Sequence, residues 1–296
     1  MTPSVRARIF RRMMGLFVAP ADATLERRRA DMERAGKIPR PRSFEYSRVV
    51  VGGVPANRAT PSESDTRRHL LYFHGGAYIL GSADSHTGIA ARLAAKADAT
   101  ATVLDYRLAP EHPYPAGRDD CVAATRALIA EVGAEHVAIA GDSAGGGATI
   151  ATLCALRDAG DPLPACAFVL SPWVDLTMSG ATIESKRDID PVIADEFLAS
   201  GSVDYLGDTA PDDPGASPLF ADLAGLPPIL VQVGSDEMLL ADSQRLVDAV
   251  EQAGGAVELD VWPGMWHVFQ GFVGLMPEAN RAMQHGADFI KRHTSG

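Results

Sequence analysis

The residue best placed to do chemistry is Ser143, where an apolar run, Val137-Ala138-Ile139-Ala140, breaks into Gly141-Asp142-Ser143-Ala144-Gly145-Gly146-Gly147. Gly-x-Ser-x-Gly after a buried strand sets the serine on a tight strand-to-helix turn, and small neighbours let the backbone take dihedrals that a Cβ would obstruct. A hydroxyl held this way at the mouth of a cleft is suited to attack a carbonyl. It needs a base to take its proton and N–H donors to receive the oxyanion. The same loose pattern also describes an ordinary glycine-rich helix start. The other parts of an acyl-transfer site decide between the two readings, and each should stand at its own strand end.

After the β-rich run 70–73 comes His74-Gly75-Gly76-Ala77-Tyr78, where paired glycines leave backbone N–H groups open to close approach. Gly75 and Gly76 are candidate oxyanion donors, with the Ala144 N–H as a third. The base is expected after the serine in chain order, on a strand-end loop. Of eight histidines only His267, His285 and His293 follow Ser143. His285 and His293 fall on the polar side of the last predicted helix. His267 follows a strand directly, in Trp262-Pro263-Gly264-Met265-Trp266-His267-Val268-Phe269, and is the expected base. The orienting acid belongs at the preceding strand end, Val233-Gly234-Ser235-Asp236-Glu237-Met238-Leu239. There Asp236 and Glu237 compete: one can face His267 while the other caps the next helix, and residue chemistry does not separate them. Asp242 lies further into that helix and is discounted.

These residues need strands and helices to hold them. Residues 5–17 and 22–36 read as two short helices, the second ending at Gly36 before Pro39 and Pro41. Runs 49–54 and 70–73 read as strands separated by a turn-rich stretch, so the sheet should open antiparallel. Thereafter helices at 85–97, 119–131, 144–159, 239–253 and 278–292 alternate with strands at 101–104, 137–140, 167–170, 229–233 and 257–262. Such alternation predicts a mostly parallel, doubly wound α/β sheet with helices on both faces and functional groups beyond the carboxyl ends of its strands. Residues 178–226, polar and Pro-rich with one helix-like piece at 193–206, break the rhythm as a cap insertion. Residues 1–42 read as its N-terminal companion, leaving 43–296 as the catalytic domain. Locally, Asp84 or Ser85 is expected to cap the helix at 85. Arg107 with Glu111 should form an ion pair inside a loop stiffened by Pro110, Pro113 and Pro115, and Asp142 should accept hydrogen bonds that hold the serine turn.

With 296 residues, 46% hydrophobic and 22% charged, the chain can bury a substantial core. A net charge of -11 argues against a nucleic-acid partner, which needs a clustered basic surface. The charge is unevenly spread: residues 1–42 hold 11 Lys/Arg and 4 Asp/Glu, a local +7, so the remainder carries -18. This fits a basic helical arm on an acidic body, and the same charges suit transient contact with a lipid interface. Stable membrane insertion is not expected, since no apolar run approaches spanning length. The start mimics a secretory signal up to Ala19-Pro20-Ala21, but Ile9, Phe10, Met13, Leu16 and Phe17 fit a helical stripe, and a cytoplasmic protein is expected. Cys121, Cys154 and Cys166 fall singly in apolar elements, as free core cysteines without metal or disulfide.

The stretches His74-Gly75-Gly76-Ala77-Tyr78, Asp105-Tyr106-Arg107-Leu108-Ala109-Pro110-Glu111-His112-Pro113-Tyr114-Pro115-Ala116, Gly141-Asp142-Ser143-Ala144-Gly145-Gly146, Ser171-Pro172-Trp173 and Gly264-Met265-Trp266-His267-Val268-Phe269 resemble, in order, the bacterial hormone-sensitive lipase family of α/β-hydrolases. The resemblance covers about residues 43–296. It implies an α/β-hydrolase fold with a small helical cap, and a serine carboxylesterase acting on small short- to medium-chain acyl esters through an acyl-enzyme. No cofactor or metal is implied, and a homodimer is left open. An amidase or lactone hydrolase would use the same parts, whereas a non-catalytic binding module would have lost the base. Two departures stand out. Ala77 replaces the family's usual third glycine, and the family's Asp-Pro-Leu acid motif lacks its proline here. Alignment on the leucine puts Glu237-Met238-Leu239 in register and makes Glu237 the implied acid. Ile9, Phe10, Met13 and Phe17 are expected to wall an apolar cleft, with Trp173, Trp262 and Trp266 as inner lining.

Overall fold

Short β-branched runs alternating with alanine- and leucine-rich segments resolve, in a computed structural model that describes residues 2–14, 23–36 and 39–296, into one eight-stranded sheet flanked by helices. The strands are β1 (Phe44–Val51), β2 (Val54–Pro61), β3 (His69–Phe73), β4 (Thr100–Leu104), β5 (Val137–Asp142), β6 (Cys166–Leu170), β7 (Ile229–Gly234) and β8 (Val257–Trp262). The helices are α1 (Val5–Met13), α2 (Leu25–Ala35), α3 (Ala83–Ala97), α4 (Ala116–Val132), α5 (Ala144–Asp158), α6 (Ala181–Ser185), α7 (Asp195–Leu206), α8 (Leu240–Gln252) and α9 (Pro277–His293). Strand order is β1-β2-β4-β3-β5-β6-β7-β8, antiparallel through β1, β2 and β4 and parallel from there on.

The central strands carry no polar face because both of their faces are covered. Along β3, Leu70 and Tyr72 enter a core layer with Leu93 of α3 and Phe289 of α9, while Leu71 and Phe73 enter the other layer with Leu128, Leu153 and Leu246. This is the two-residue period of a strand read on both sides at once. Cys121, Cys154 and Cys166 are buried and unpaired within these layers.

Three local expectations are corrected. The run 49–54 is two strands, because Gly52 and Gly53 both have positive φ (60° and 85°) and close a two-residue hairpin in which Val51 pairs with Val54. Valines on both sides of the glycine pair hid that turn. The cap of α3 is Ser82, which exchanges hydrogen bonds with Ser85 in a capping box. Asp84 instead meets Arg40, Arg48 and Asn57. Arg107 and Glu111 do not pair with each other: Arg107 holds Asp120 at 2.7 Å, and Glu111 takes Arg29 of α2 at 2.6 Å.

The N-terminal helices lie against the carboxyl end of the sheet. Ala7, Phe10 and Met14 pack on Met265, Trp266, Phe269 and α9, and Phe10 meets Phe272 with ring centroids 4.9 Å apart. Arg29 of α2 donates to the carbonyls of Ile79 and Ala109. Ile9 and Met13, expected to wall a cleft, face outward, because one turn of α1 can bury only the side that meets the His267 loop. Trp262 and Trp266 belong to the same cluster under α1, while Trp173 is buried beside Tyr78. Leu16 and Phe17 lie outside the described residues.

Gly286 of α9 tests the packing of this frame, since a Cβ there would lie 2.4 Å from the Phe168 ring, itself fully buried in β6. Gly286→Ala gains about 1 kcal/mol in helix propensity and loses roughly 1–3 kcal/mol to overpacking. The expected result is a lower urea midpoint at unchanged slope, whereas an unchanged or higher midpoint would show a looser core than described.

Candidate active site

Ser143 sits between β5 and α5 at φ 53°, ψ -121°, a strained conformation for a residue with a side chain. Such a residue costs about 1–3 kcal/mol and persists only where its surroundings dictate it. Here they do so from two sides. The Ser143 N–H donates to the Leu170 carbonyl (2.9 Å), and the Ser143 carbonyl accepts from Trp173 N–H (3.0 Å), which ties the turn to the end of β6. Towards β3, a Cβ at Gly145 would lie 2.1 Å from the Phe73 carbonyl oxygen and 2.6 Å from that of His74. Only glycine lets the new helix start so close to its neighbouring strand.

The turn after β3 carries three successive positive φ angles, at Gly76 (118°), Ala77 (54°) and Tyr78 (64°). Ala77 therefore stands in a glycine-favouring conformation, which accounts for the family's usual residue there. The turn is held by Asp142: its Oδ1 accepts the Gly75 N–H (3.2 Å) and the Tyr72 hydroxyl (2.8 Å), and its Oδ2 lies 3.6 Å from His86 Nε2. Burial pushes the Asp142 carboxyl up, but the charge and hydrogen bond of His86 and the Tyr72 hydroxyl outweigh it and leave it below the ordinary value. Asp142 accepts hydrogen bonds as expected, but the turn they hold is the one after β3, while the serine turn is held by the main-chain bonds to Leu170 and Trp173. Asp142 also engages the N–H of Gly75, one of the three N–H groups expected to receive the oxyanion. Behind them His74 stacks on Tyr106 (centroids 4.2 Å, planes 14° apart) and its Nδ1–H donates to the Gly75 carbonyl at 2.8 Å. Burial and the nearby His86 lower its pKa to about 4, so it stays neutral.

Across the strand ends, His267 Nδ1 faces Glu237 Oε1 at 3.4 Å. Glu237 is fully buried, and its Oε2 accepts from the Ser171 hydroxyl (2.9 Å) and the Gly234 N–H (2.8 Å). Ser171 Oγ in turn accepts the Val268 N–H at 3.2 Å, joining β6, β7 and the His267 loop through one hydroxyl. Burial pushes the Glu237 carboxyl up despite the opposing pull of His267. Burial alone would depress the His267 imidazole, but the Glu237 carboxylate outweighs it and the pKa is raised, with Asp190 and Asp142 adding to the rise.

Asp236, the competing carboxylate, turns the other way. It pairs with Arg11 of α1 at 2.9 Å and accepts from Ser235. Asp242 is buried against the Val174 and Asp175 N–H groups, its pKa raised to about 7 by burial and by Asp175, and it takes no part in the histidine pair. His285 pairs with Asp260 at the sheet edge. Sequence reasoning assigned no role to Ser171, Asp190, Tyr72 or His86. Ser171 was findable, since it ends the strand next to β5 and the motif Ser171-Pro172-Trp173 had already singled it out. Asp190 accepts the N–H groups of Met238, Val192 and Ile193, and nothing in its local sequence marks that.

The segment between β6 and β7 closes over the turn after β3. A Cβ on Gly201 of α7 would lie 2.8 Å from the Ala77 Cβ, and Tyr205 stacks on Tyr78 with centroids 3.8 Å apart and planes 9° apart. Arg28 of α2 lies over the Phe197 ring, so the arm and the segment touch. Among the described residues no group of three or more His, Cys, Asp or Glu could hold a metal ion.

The chain is similar to known proteins over nearly its whole length. A family model described as an α/β-hydrolase fold matches residues 70–271. An acetyl-hydrolase of Streptomyces hygroscopicus is 42% identical over 248 residues, covering 83% of this chain and 82% of that one. An esterase of Acinetobacter venetianus is 36% identical over 243 residues, 81% and 80% of the two chains. A crystal structure of an esterase from the bacterial hormone-sensitive lipase family matches with a TM-score of 0.95 at 38% identity over 100% of both chains.

The His267 environment can be checked directly by NMR titration of its ring. The wild-type imidazole should titrate above 6.5, and Glu237→Gln should bring it down because burial then meets less opposition. Asp236→Asn should leave it in place. A larger response to Asp236→Asn than to Glu237→Gln would reverse the assignment of the partner.

Proposed function

The chain belongs to the bacterial hormone-sensitive lipase family of α/β-hydrolases and is a carboxylic ester hydrolase, and we propose that it cleaves short- to medium-chain acyl esters through an acyl-enzyme on Ser143. The observation that carries this reading is the buried Glu237–His267 pair, aligned at the same sheet end as a serine held at positive φ. Ser143 Oγ attacks the ester carbonyl carbon while His267 takes its proton. The Glu237 carboxylate keeps the other imidazole proton on Nδ1 and stabilises the cation that forms. The carbonyl electrons move onto oxygen, and the N–H groups of Gly76 and Ala144 receive the oxyanion, each donor contributing roughly 3 kcal/mol. The Gly75 N–H joins them if it leaves Asp142.

His267 then protonates the departing alkoxide, which leaves as the alcohol. In the second half, His267 deprotonates a water that attacks the acyl carbon, and the collapse of that intermediate returns the proton to Ser143 and frees the acid. We assign residues 1–42 and 178–226 as a cap over this site. The contact of α7 with Ala77 and Tyr78 supports a short acyl pocket, and so does the acetyl group in the name of the Streptomyces relative. No helix among the described residues is long and apolar enough to cross a membrane.

Ser143→Ala should lower kcat on p-nitrophenyl butyrate by on the order of 10⁵-fold with the fold intact, and retained turnover would remove the assignment. The neutral imidazole is the base, so kcat/KM should rise with pH, and the raised His267 pKa puts the midpoint above 6.5. A rate that is flat from about pH 5 to 8, across the histidine range, would contradict this role. Across nitrophenyl esters, kcat/KM should fall from butyrate to palmitate; a preference for palmitate would overturn the short-chain assignment.

A further inference from the structure

Helix α1 has two apolar sides. One, formed by Ala7, Phe10 and Met14, is packed on the His267 loop. The other is an unbroken stripe of Val5, Ile9 and Met13 at four-residue spacing, exposed by 62%, 52% and 37%. Four-residue spacing puts these side chains in one row on the helix surface. Arg6, Arg8 and Arg12 are exposed around the row, and residues 2–14 contain no acid. Beside the helix, Arg6 donates to the carbonyl of Leu275 and Arg11 to that of Ile189, and these two apolar residues are themselves 50% and 40% exposed.

We propose that α1 is an interfacial helix, and that Val5, Ile9 and Met13 enter an anionic phospholipid surface while Arg6, Arg8 and Arg12 meet its headgroups. The charge around the helix supports an anionic occupant. Of the nearby carboxylates, Asp236 is bonded to Arg11, Glu278 to Ser4 beside Arg281, and Asp190 to backbone N–H groups. Asp188 shares a shallow cleft with Arg8, Arg11 and Arg12. Three rim arginines against that carboxylate leave the stripe positive. The -18 carried by the rest of the chain acts weakly at this patch, since charges more than about 8 Å apart are largely screened at physiological salt. A second copy docked through the same stripe would set arginine against arginine across a two-fold axis.

Docking here would also orient the enzyme. Pro3 packs against Gly264 and Arg11 against Asp236, so α1 covers the loops after β7 and β8, where His267 and Glu237 stand. The sheet end that bears the site would face the lipid, into which apolar esters partition. That benefit rests on the ester-hydrolase reading, whereas the docking itself does not.

The test is vesicle flotation of the full-length protein. It should bind equal mixtures of phosphatidylglycerol and phosphatidylcholine at least about tenfold more strongly than phosphatidylcholine alone, and lose that advantage at high salt. Ile9→Ser with Met13→Ser should weaken binding about tenfold, and Arg8→Gln or Arg12→Gln about fivefold each. All of these positions are exposed, so melting temperature and turnover of a soluble nitrophenyl ester should not change. Equal binding to both vesicle types, or no effect of the serine pair, overturns the proposal. A wild-type dimer that Ile9→Asp converts to monomer does so as well, because the stripe then belongs to a second copy. Binding without ester turnover would defeat the hydrolase reading and leave docking standing; turnover without binding removes docking alone.

Discussion

The constraint on which the site depends is the contact between the Ser143 turn and the end of β3. Gly145 lies so close to the Phe73 and His74 carbonyls that no side chain fits, and the next turn along the chain is drawn in by Asp142. Because β3 and β5 are adjacent in the sheet, the two turns emerge side by side. A buried carboxylate then fixes their spacing. Asp142 can remain charged there because it accepts two hydrogen bonds and faces His86, whereas an unpartnered buried carboxylate would take up a proton. The strain at Ser143, Ala77 and Tyr78 is thus set against close contacts between the two turns.

A second buried carboxylate organises the other half. Glu237 is surrounded by Ser171 just after β6, Gly234 from β7 and His267 after β8, so one group gathers three strand ends. The main-chain bonds of Ser143 to Leu170 and Trp173 link this half to the first. The two acids answer burial differently. Asp142 is held below its ordinary value by several donors and His86, while Glu237 is pushed up and shares its field with Asp190. The result is a histidine whose affinity for protons is increased where a base is required.

Much of this was legible in the sequence, because strand periodicity and chain order locate Ser143, His267 and the turn at Gly75 without any coordinates. What was not legible follows from geometry finer than one residue. Asp236 and Glu237 are neighbours in one turn whose side chains diverge, one towards Arg11 and one towards His267, and composition carries no sign of that divergence. The hairpin at Gly52-Gly53 was masked by valines on both sides, and the partners of Arg107 and Glu111 lie in α4 and α2, beyond any local pattern. The outward stripe of α1 was visible as helical spacing, but which side faces the protein depends on where Met265 and Trp266 come to rest.

The claim that everything else supports is that Ser143 is the group activated by the Glu237–His267 pair. Its most direct test is reaction of the intact enzyme with a fluorophosphonate, in which the activated oxygen displaces fluoride from phosphorus, followed by mass mapping of the adduct. The account predicts a single adduct on the peptide bearing Ser143. An adduct on another residue, or none on an enzyme that still turns over ester, would contradict it.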